Sequence, residues 1–184
     1  MNAGAGSADF TSGWMRRFAE AAHDGQPLLT ALDQQVGDGD FGVNLTAGVD
    51  AARPRLDRLP DRGADPSAPL LATAEAFLDE VGGTSGPLFG LLLHSLAAAI
   101  AEDGLTTAAL ADGFASGLAA IQRVGGAGPG DKTLVDALAP ATDVLRSTDP
   151  SAPAADPRPA PPRPARDTHA PPPKLPGPKG RLTE

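Results

Sequence analysis

The 184-residue chain contains no cysteine and no tyrosine, and aromatic residues make up only 4% of it. Without cysteine it has no disulfide framework and no thiolate for catalysis or metal binding, so nothing favours an oxidising compartment and we expect a cytoplasmic protein. No N-terminal segment combines a basic start with an apolar run, and no apolar stretch approaches the roughly 20 residues of a membrane span. The sequence therefore predicts no membrane partner.

Also missing is any stretch of alternating β-branched residues, which would indicate a strand. Residues 1–149 instead place alanine and leucine at helical spacing, interrupted by glycine, proline and capping residues. Seven helical pieces are predicted: the first bears Phe10, Trp14 and Phe18 and ends at Gly25, the third begins near Asn44, and the fifth buries His94 in an apolar run. The pattern predicts an all-α domain.

Proline is concentrated at one end of the chain, where 12 of the 20 prolines lie between Pro150 and Pro178. A segment of this composition cannot bury a core, so a domain over 1–149 is predicted to precede a disordered tail over 150–184. The tail holds 6 of the 15 basic and 3 of the 23 acidic residues, which leaves a strongly acidic domain. Such a domain is poorly suited to bind nucleic acid.

Three aspartates, Asp33, Asp38 and Asp40, fall within eight residues in the run LDQQVGDGDFGVNL. Carboxylates without nearby histidine or cysteine suit Mg²⁺ or Ca²⁺ better than zinc, and the interspersed glycines allow tight turns. An ordinary acidic surface turn is the alternative. An EF-hand is excluded, because no glutamate occupies the twelfth position of either possible loop. A magnesium site that also holds phosphate oxygens is the first hypothesis.

Two further glycine-rich runs, GGTSGPLFG at 82–90 and GGAGPGDKTLVDAL at 125–138, each lead into a predicted helix. The free N–H groups at a helix start can bind an anion, although such a run can also be a simple capped turn. Neither run matches the phosphate loop GxxxxGK[ST] or the dinucleotide pattern GxGxxG after a strand. If the helices alternate in direction, all three loops lie at one end of a bundle.

These three motifs, in this order, resemble those of the nucleotide-binding L subunit of dihydroxyacetone kinase, the DhaL or Dak2 domain family, over about residues 9 to 146. The resemblance implies an antiparallel up-and-down barrel, with eight helices in the family and about seven here. It also implies ADP or ATP held through two Mg²⁺ ions, a partner K subunit that holds dihydroxyacetone, and a phosphocarrier M subunit that rephosphorylates bound ADP from phosphoenolpyruvate. A homodimer remains open.

The resemblance also implies roles for individual residues. Asp33, Asp38 and Asp40 match the family's Mg²⁺ ligands. The residues that match its nucleotide contacts are Phe41, Gly42, Val43, Asn44, Thr84, Ser85, Gly125, Leu134 and, in the KGR of the tail, Arg181. No general base is expected on this chain, because charge neutralisation and positioning carry phosphoryl transfer.

Two departures from the family pattern leave alternatives open. Phe41 replaces the usual histidine of GDGDHG, and the family's C-terminal KGRASYLGER and DPGA motifs are replaced by a tail that ends in PGPKGRLTE. One alternative is therefore a truncated, non-catalytic subunit that binds nucleotide or regulates its partner. Another is a nucleotide domain like that of fatty-acid kinase, which carries a similar aspartate loop.

Overall fold

The computed structural model of the chain describes residues 3–35, 37–60 and 65–148, with side chains from Ala8 onward. This part of the chain is all-helical, as predicted. The helices are α1 (Ala3–Asp33), α2 (Phe41–Leu56), α3 (Ala68–Glu80), α4 (Ser85–Asp103), α5 (Thr107–Gly125) and α6 (Leu134–Ser147). The predicted tail over 150–184, including Arg181, lies outside the described residues.

Six helices are described instead of seven because α1 runs unbroken through Gly25 and Pro27. Gly25 does not end the helix, so that prediction was wrong. Burial explains the continuity: Met15 and Ala22 are buried and Leu29 packs against the same core, so one face of α1 is covered on both sides of Gly25. Tertiary packing of this kind outweighs the weak helix propensity of glycine.

Two other helix boundaries differ from the predictions. Helix α2 begins at Phe41, before the predicted Asn44, and continues past Pro54 to Leu56. The predicted cap Asp65 lies ahead of α3, where its carboxylate accepts hydrogen bonds from the backbone N–H and the hydroxyl of Ser67, both at 2.8 Å. Ser67 is the residue that directly precedes the helix, so α3 begins later than predicted.

The core is formed mainly by α3, α4 and α5. Phe77, Leu70, Leu96 and Ile100 are at most 1% exposed. From α1, Trp14 and Phe18 pack against this core while remaining half-buried, and the ring of Phe18 stacks on that of Phe77 with centroids 6.3 Å apart. The predicted aromatic stripe of α1 therefore contributes to the core at its C-terminal end.

Helix α4 is central, because it contacts α2, α3 and α5. Among the helices of the described ranges, only α4, with 19 residues, is both apolar enough and long enough to span a membrane. One apolar stretch therefore does approach that length. A helix in the core of a helical domain can be equally long and apolar, so α4 gives little support for a membrane span. The prediction that α4 buries His94 was wrong: His94 is exposed, on a side of α4 that no other described helix covers.

Each helix packs on the next one along the chain, and α1 also contacts α3. Helix α6 contacts α5 and no other described helix, so the ring of helices stays open between α6 and α1 in the described part of the chain. Short connections favour antiparallel neighbours. The ends that carry the three glycine-rich motifs, namely the start of α2, the start of α4 and the start of α6, therefore lie at the same end of the bundle.

Candidate functional site

The three aspartates of the first motif converge at the junction of α1 and α2. Asp33 is the last residue of α1, Asp38 lies in the connecting loop and Asp40 directly precedes α2. One carboxylate oxygen from each lies within 4.8 Å of the others. Asp33 is half-buried, whereas Asp38 and Asp40 are exposed. Three oxygen donors open to solvent form a set suited to a hard divalent cation.

Backbone hydrogen bonds hold these carboxylates in place. The N–H of Phe41 donates to Asp33 Oδ2 at 3.1 Å, and the N–H of Asp40 donates to Asp38 Oδ1 at 3.3 Å. Gly39, between the two exposed carboxylates, is buried and has φ +80°. This backbone conformation is strained for any residue that has a side chain, but not for glycine. These hydrogen bonds stay within residues 33–41, and the bond from the Phe41 N–H links the start of α2 to the end of α1.

Gly42, predicted to contact nucleotide, also has a packing role. It is buried in the first turn of α2, where a Cβ atom would lie 2.5 Å from the backbone oxygen of Gln26 and even closer to Thr30 Oγ1. Both neighbours belong to α1, so α1 and α2 approach each other too closely at this point for any side chain. The close contact lies directly beside the aspartate loop.

The second motif places the start of α4 against the end of α3. Thr84 directly precedes α4, and its side chain makes no capping hydrogen bond to the helix. A Cβ atom on Gly86 would collide with the backbone oxygen of Val81 and lie 2.8 Å from that of Phe77. Glycine at this position therefore lets the first turn of α4 lie directly against the C-terminal end of α3.

A cleft of about 230 Å³ lies where the three motifs meet. The lining residues are Phe41, Thr84, Ser85, Leu88, Phe89 and Leu134. The rings of Phe41 and Phe89 stack with centroids 6.3 Å apart, and Phe89 in turn packs on the buried Phe77 at 5.3 Å. The cleft thus has a largely apolar wall that is supported by the core, with two hydroxyl groups at the start of α4.

The structure brings together four of the predicted nucleotide contacts, Phe41, Thr84, Ser85 and Leu134, around this cleft. Gly42, Val43, Asn44 and Gly125 are not among the lining residues; Val43 and Gly125 are exposed and Asn44 is half-buried. Sequence reasoning missed Leu88 and Phe89 as lining residues. Their position one helical turn after Ser85, on the same face of α4, is the signal that could have identified them.

The third motif forms the loop between α5 and α6 and is held by two acidic side chains. Asp136 Oδ1 accepts a hydrogen bond from the N–H of Gly130 at 2.6 Å, and its Oδ2 accepts one from the N–H of Thr133 at 3.0 Å. These backbone bonds, that of Gly130 first, hold the pKa of the Asp136 carboxyl below its ordinary value. Asp131 Oδ2 accepts a further bond from the N–H of Gly128 at 2.8 Å.

A second groove, of about 210 Å³, runs between α1 and α2 away from the three motifs. Charged side chains line much of it, and His23 Nε2 lies 2.8 Å from Asp50 Oδ1 across the two helices. None of the predicted site residues lines this groove. The cleft at the motifs is therefore the candidate binding site, because it adjoins the carboxylates.

Kinases from other organisms are similar in sequence to this chain. The chain is 37% identical over 132 residues to L-erythrulose 1-kinase of Mycolicibacterium smegmatis, an alignment that covers 71% of this chain and 23% of that kinase. It is 28% identical over 141 residues to the ADP-binding subunit DhaL of the PEP-dependent dihydroxyacetone kinase 1 of Listeria innocua, covering 77% of this chain and 70% of that subunit. The chain thus spans under a quarter of the erythrulose kinase.

A solved structure has the same fold. The crystal structure of the dihydroxyacetone kinase from C. freundii in complex with AMP-PNP and Mg²⁺ aligns with a TM-score of 0.58 and 29% sequence identity, covering 80% of this chain and 26% of that one. The sequence model of the DAK2 domain family matches residues 35–157, about two thirds of the sequence. The chain therefore belongs to the DAK2 domain family.

Proposed function

We propose that this chain is the nucleotide-binding subunit of a dihydroxyacetone-type kinase. In this role it holds ADP or ATP with Mg²⁺ and supplies a phosphoryl group to a small hydroxyketone on a partner subunit. The observation that carries the proposal is the junction at Phe41, whose backbone N–H holds Asp33 while its ring lines the cleft. One residue thus joins the candidate metal site to the candidate nucleotide site.

Asp33, Asp38 and Asp40 are proposed to hold Mg²⁺, and two ions are proposed because the resemblance to the L subunit of dihydroxyacetone kinase implies two. Bound Mg²⁺ would neutralise charge on the phosphate oxygens and orient them for in-line transfer. The spacing fits: each aspartate offers an oxygen within 4.8 Å of the others, and at least two of the three side chains are open to an incoming phosphate. The C. freundii dihydroxyacetone kinase was crystallised with the same pair of ligands, the nucleotide analogue AMP-PNP and Mg²⁺.

The cleft is proposed to hold the nucleoside and the adjoining phosphates. Phe41, Phe89 and Leu134 offer apolar surface to the base and ribose. Thr84 and Ser85 bring hydroxyl groups and the N-terminal end of α4, whose free N–H groups and dipole favour an anion. The remaining proposed contacts, Gly42, Val43, Asn44, Gly125 and Arg181, complete the set.

The acceptor hydroxyl is proposed to arrive on a K subunit, because relatives of this chain are named as the ADP-binding subunits of multi-subunit dihydroxyacetone kinases. The chain holds the donor phosphate, and the terminal phosphorus then exchanges its bond to the nucleotide for one to the acceptor oxygen. The acceptor proton leaves through groups of the acceptor's own protein. A phosphocarrier M subunit would restore ATP from ADP in the cytoplasmic, phosphoenolpyruvate-dependent version.

Relatives of two kinds match the chain: ADP-binding subunits of multi-subunit dihydroxyacetone kinases, and longer kinases such as the erythrulose kinase. The phosphoenolpyruvate-dependent version is proposed because ADP-binding subunits from three bacteria are among these relatives. The acceptor is left as a small hydroxyketone, because relatives act on dihydroxyacetone and on erythrulose by name. Mixing the chain with a purified K subunit and each ketone would identify the preferred acceptor.

Calorimetric titration with ADP, in the presence and absence of Mg²⁺, tests the proposal directly. The wild-type chain is expected to bind ADP only with Mg²⁺, and Asp38→Ala to abolish that binding. Asp24→Ala is the matched control, since Asp24 is an exposed aspartate of α1 and its loss changes the net charge equally. A folded wild-type chain that binds no ADP at millimolar Mg²⁺ would rule out the proposed function. Binding without transfer to any ketone on a K subunit would favour the non-catalytic alternative.

A further inference from the structure

The loop between α5 and α6 adopts backbone conformations that need to be held. Gly126 and Gly130 have φ of +67° and +100°, and Lys132, which is not a glycine, has φ +59°. Glycine-rich loops lose the most conformational entropy on ordering, and a left-handed lysine adds a further cost. Something in the folded chain must therefore offset these costs at 126–133.

Asp136 is the group that does so. Its position in the first turn of α6 lets one oxygen accept from Thr133, which together with the Thr133 side chain forms a capping box. The other oxygen accepts from Gly130, six residues back along the chain, and this 2.6 Å bond is no part of a helix cap. The carboxylate therefore spans Lys132 and clamps the loop on both sides of it.

The residue held next to this clamp is Leu134, the first residue of α6 and a wall of the cleft opposite Phe41 and Thr84. Helix α6 contacts only α5 among the described helices. In its first turn Val135 is buried in the core and Leu134 packs against that core, so the clamp and the Val135 contact together fix the start of the helix. Asp136 itself is exposed and lies outside the cleft lining. It can therefore influence the cleft only by setting the position of the loop and of Leu134.

We propose that Asp136 is a positioning residue for nucleotide binding: its carboxylate clamps the N–H groups of Gly130 and Thr133 and so holds Leu134 against the cleft. The inference rests on the proposed function. If the loop leaves this conformation, only the clamped fraction of molecules binds nucleotide, and the apparent Kd rises in inverse proportion to that fraction. The metal site lies between α1 and α2, so its affinity for Mg²⁺ is independent of the clamp.

The test compares Asp136→Ala with Asp143→Ala, an exposed aspartate two turns further along α6 for which no side-chain bond is observed. Three quantities are measured: exchange of the Gly130 and Thr133 amide hydrogens by NMR, the Kd for ADP at saturating Mg²⁺, and the Kd for Mg²⁺ alone. We expect Asp136→Ala to speed both exchanges and raise the Kd for ADP about tenfold, which corresponds to a clamped fraction of about one tenth. The Kd for Mg²⁺ should match that of Asp143→Ala.

A second substitution separates positioning from simple loss of structure. Glycine adopts φ near +59° without strain, so adding Lys132→Gly to Asp136→Ala should lower the Kd for ADP again, whereas adding Lys132→Ala, which also removes the charge, should not. If Asp136→Ala does not fold, Asp136→Asn, which keeps one acceptor oxygen, takes its place.

Two results would overturn the inference. One is an ADP affinity in Asp136→Ala within twofold of that in Asp143→Ala while the wild-type chain binds ADP. The other is unchanged exchange at Gly130 and Thr133. A wild-type chain that binds Mg²⁺ but no ADP would instead remove the proposed function, so the two failures are distinguishable.

Discussion

Replacing Gly42 by alanine should separate α1 from α2 beside the metal site. The added Cβ atom would lie 2.5 Å from the Gln26 oxygen, roughly 0.8 Å inside an ordinary carbon to oxygen contact of about 3.3 Å. Because that oxygen belongs to the backbone of α1, a side-chain rotation cannot relieve the overlap and the helices must move apart. Overpacking of this kind costs about 1–3 kcal/mol.

Gly25→Ala is the matched control. Gly25 lies inside α1, and its added Cβ atom would meet Leu29 Cδ1 at 3.6 Å, an ordinary contact. Alanine in place of a helical glycine stabilises by about 1 kcal/mol, so Gly25→Ala should raise the melting temperature. If α1 ended at Gly25 instead, with a left-handed glycine, the same substitution would lower it.

The two variants are compared by thermal unfolding and by Mg²⁺ titration. Both substitutions replace a helical glycine and gain similar helix propensity, so the overlap at Gly42 sets the difference between them. Gly42→Ala should be less stable than Gly25→Ala by about 1–3 kcal/mol, or roughly 2 to 12 °C for a domain of this size. Displacement of α2 also carries Asp40 away from Asp33, so Gly42→Ala alone should bind Mg²⁺ more weakly. Equal stability and equal Mg²⁺ affinity in the two variants would refute the close approach of α1 and α2.

Three further predictions concern the site. Mg²⁺ at a hundred times its Kd should stabilise the wild-type chain by about 2.7 kcal/mol in thermal unfolding, and Asp38→Ala should show no such shift. Phe41→Leu removes the ring pair with Phe89, a contact of about 0.5–1.5 kcal/mol, and should lower both stability and ADP affinity, whereas Phe41→Tyr should preserve them. Backbone hydrogen bonds lower the pKa of Asp136 in the folded chain. Its contribution to stability is therefore present above the ordinary aspartate pKa and is lost as the pH falls through the pKa of the folded state. The stability difference between wild type and Asp136→Asn, measured by urea unfolding, should shrink in acid.

Local sequence signals predicted the elements whose causes are local. The glycine-rich runs at 82–90 and 125–138 lead into α4 and α6, as predicted, and Thr133 accepts a capping hydrogen bond at the start of α6. The convergence of Asp33, Asp38 and Asp40 was likewise predictable, because the three lie within eight residues and Gly37 and Gly39 allow the tight turns that bring them together. The all-helical class followed from the spacing of alanine and leucine along 1–149.

The failures have tertiary causes. Gly25 and Pro27 are weak helix formers, and only the core that covers Met15 and Ala22 keeps α1 continuous through them. His94 lies in an apolar helix with no polar face, so its exposure depends on which side the neighbouring helices leave uncovered. The clamp by Asp136 joins residues six apart across a glycine-rich loop, a link that no helical or strand periodicity signals.

Within the described residues, the open edge between α1 and α6 affects how the helices fold. Every pair of described helices that touch is adjacent or next but one in sequence, and the two ends of this region do not need to meet. Such local connectivity keeps the entropy of loop closure small and favours fast folding. Since Asp33, Asp38 and Asp40 depend on α1 and α2, whereas Leu134 arrives with α6, we expect the carboxylate cluster to assemble early during synthesis and the cleft to be completed last.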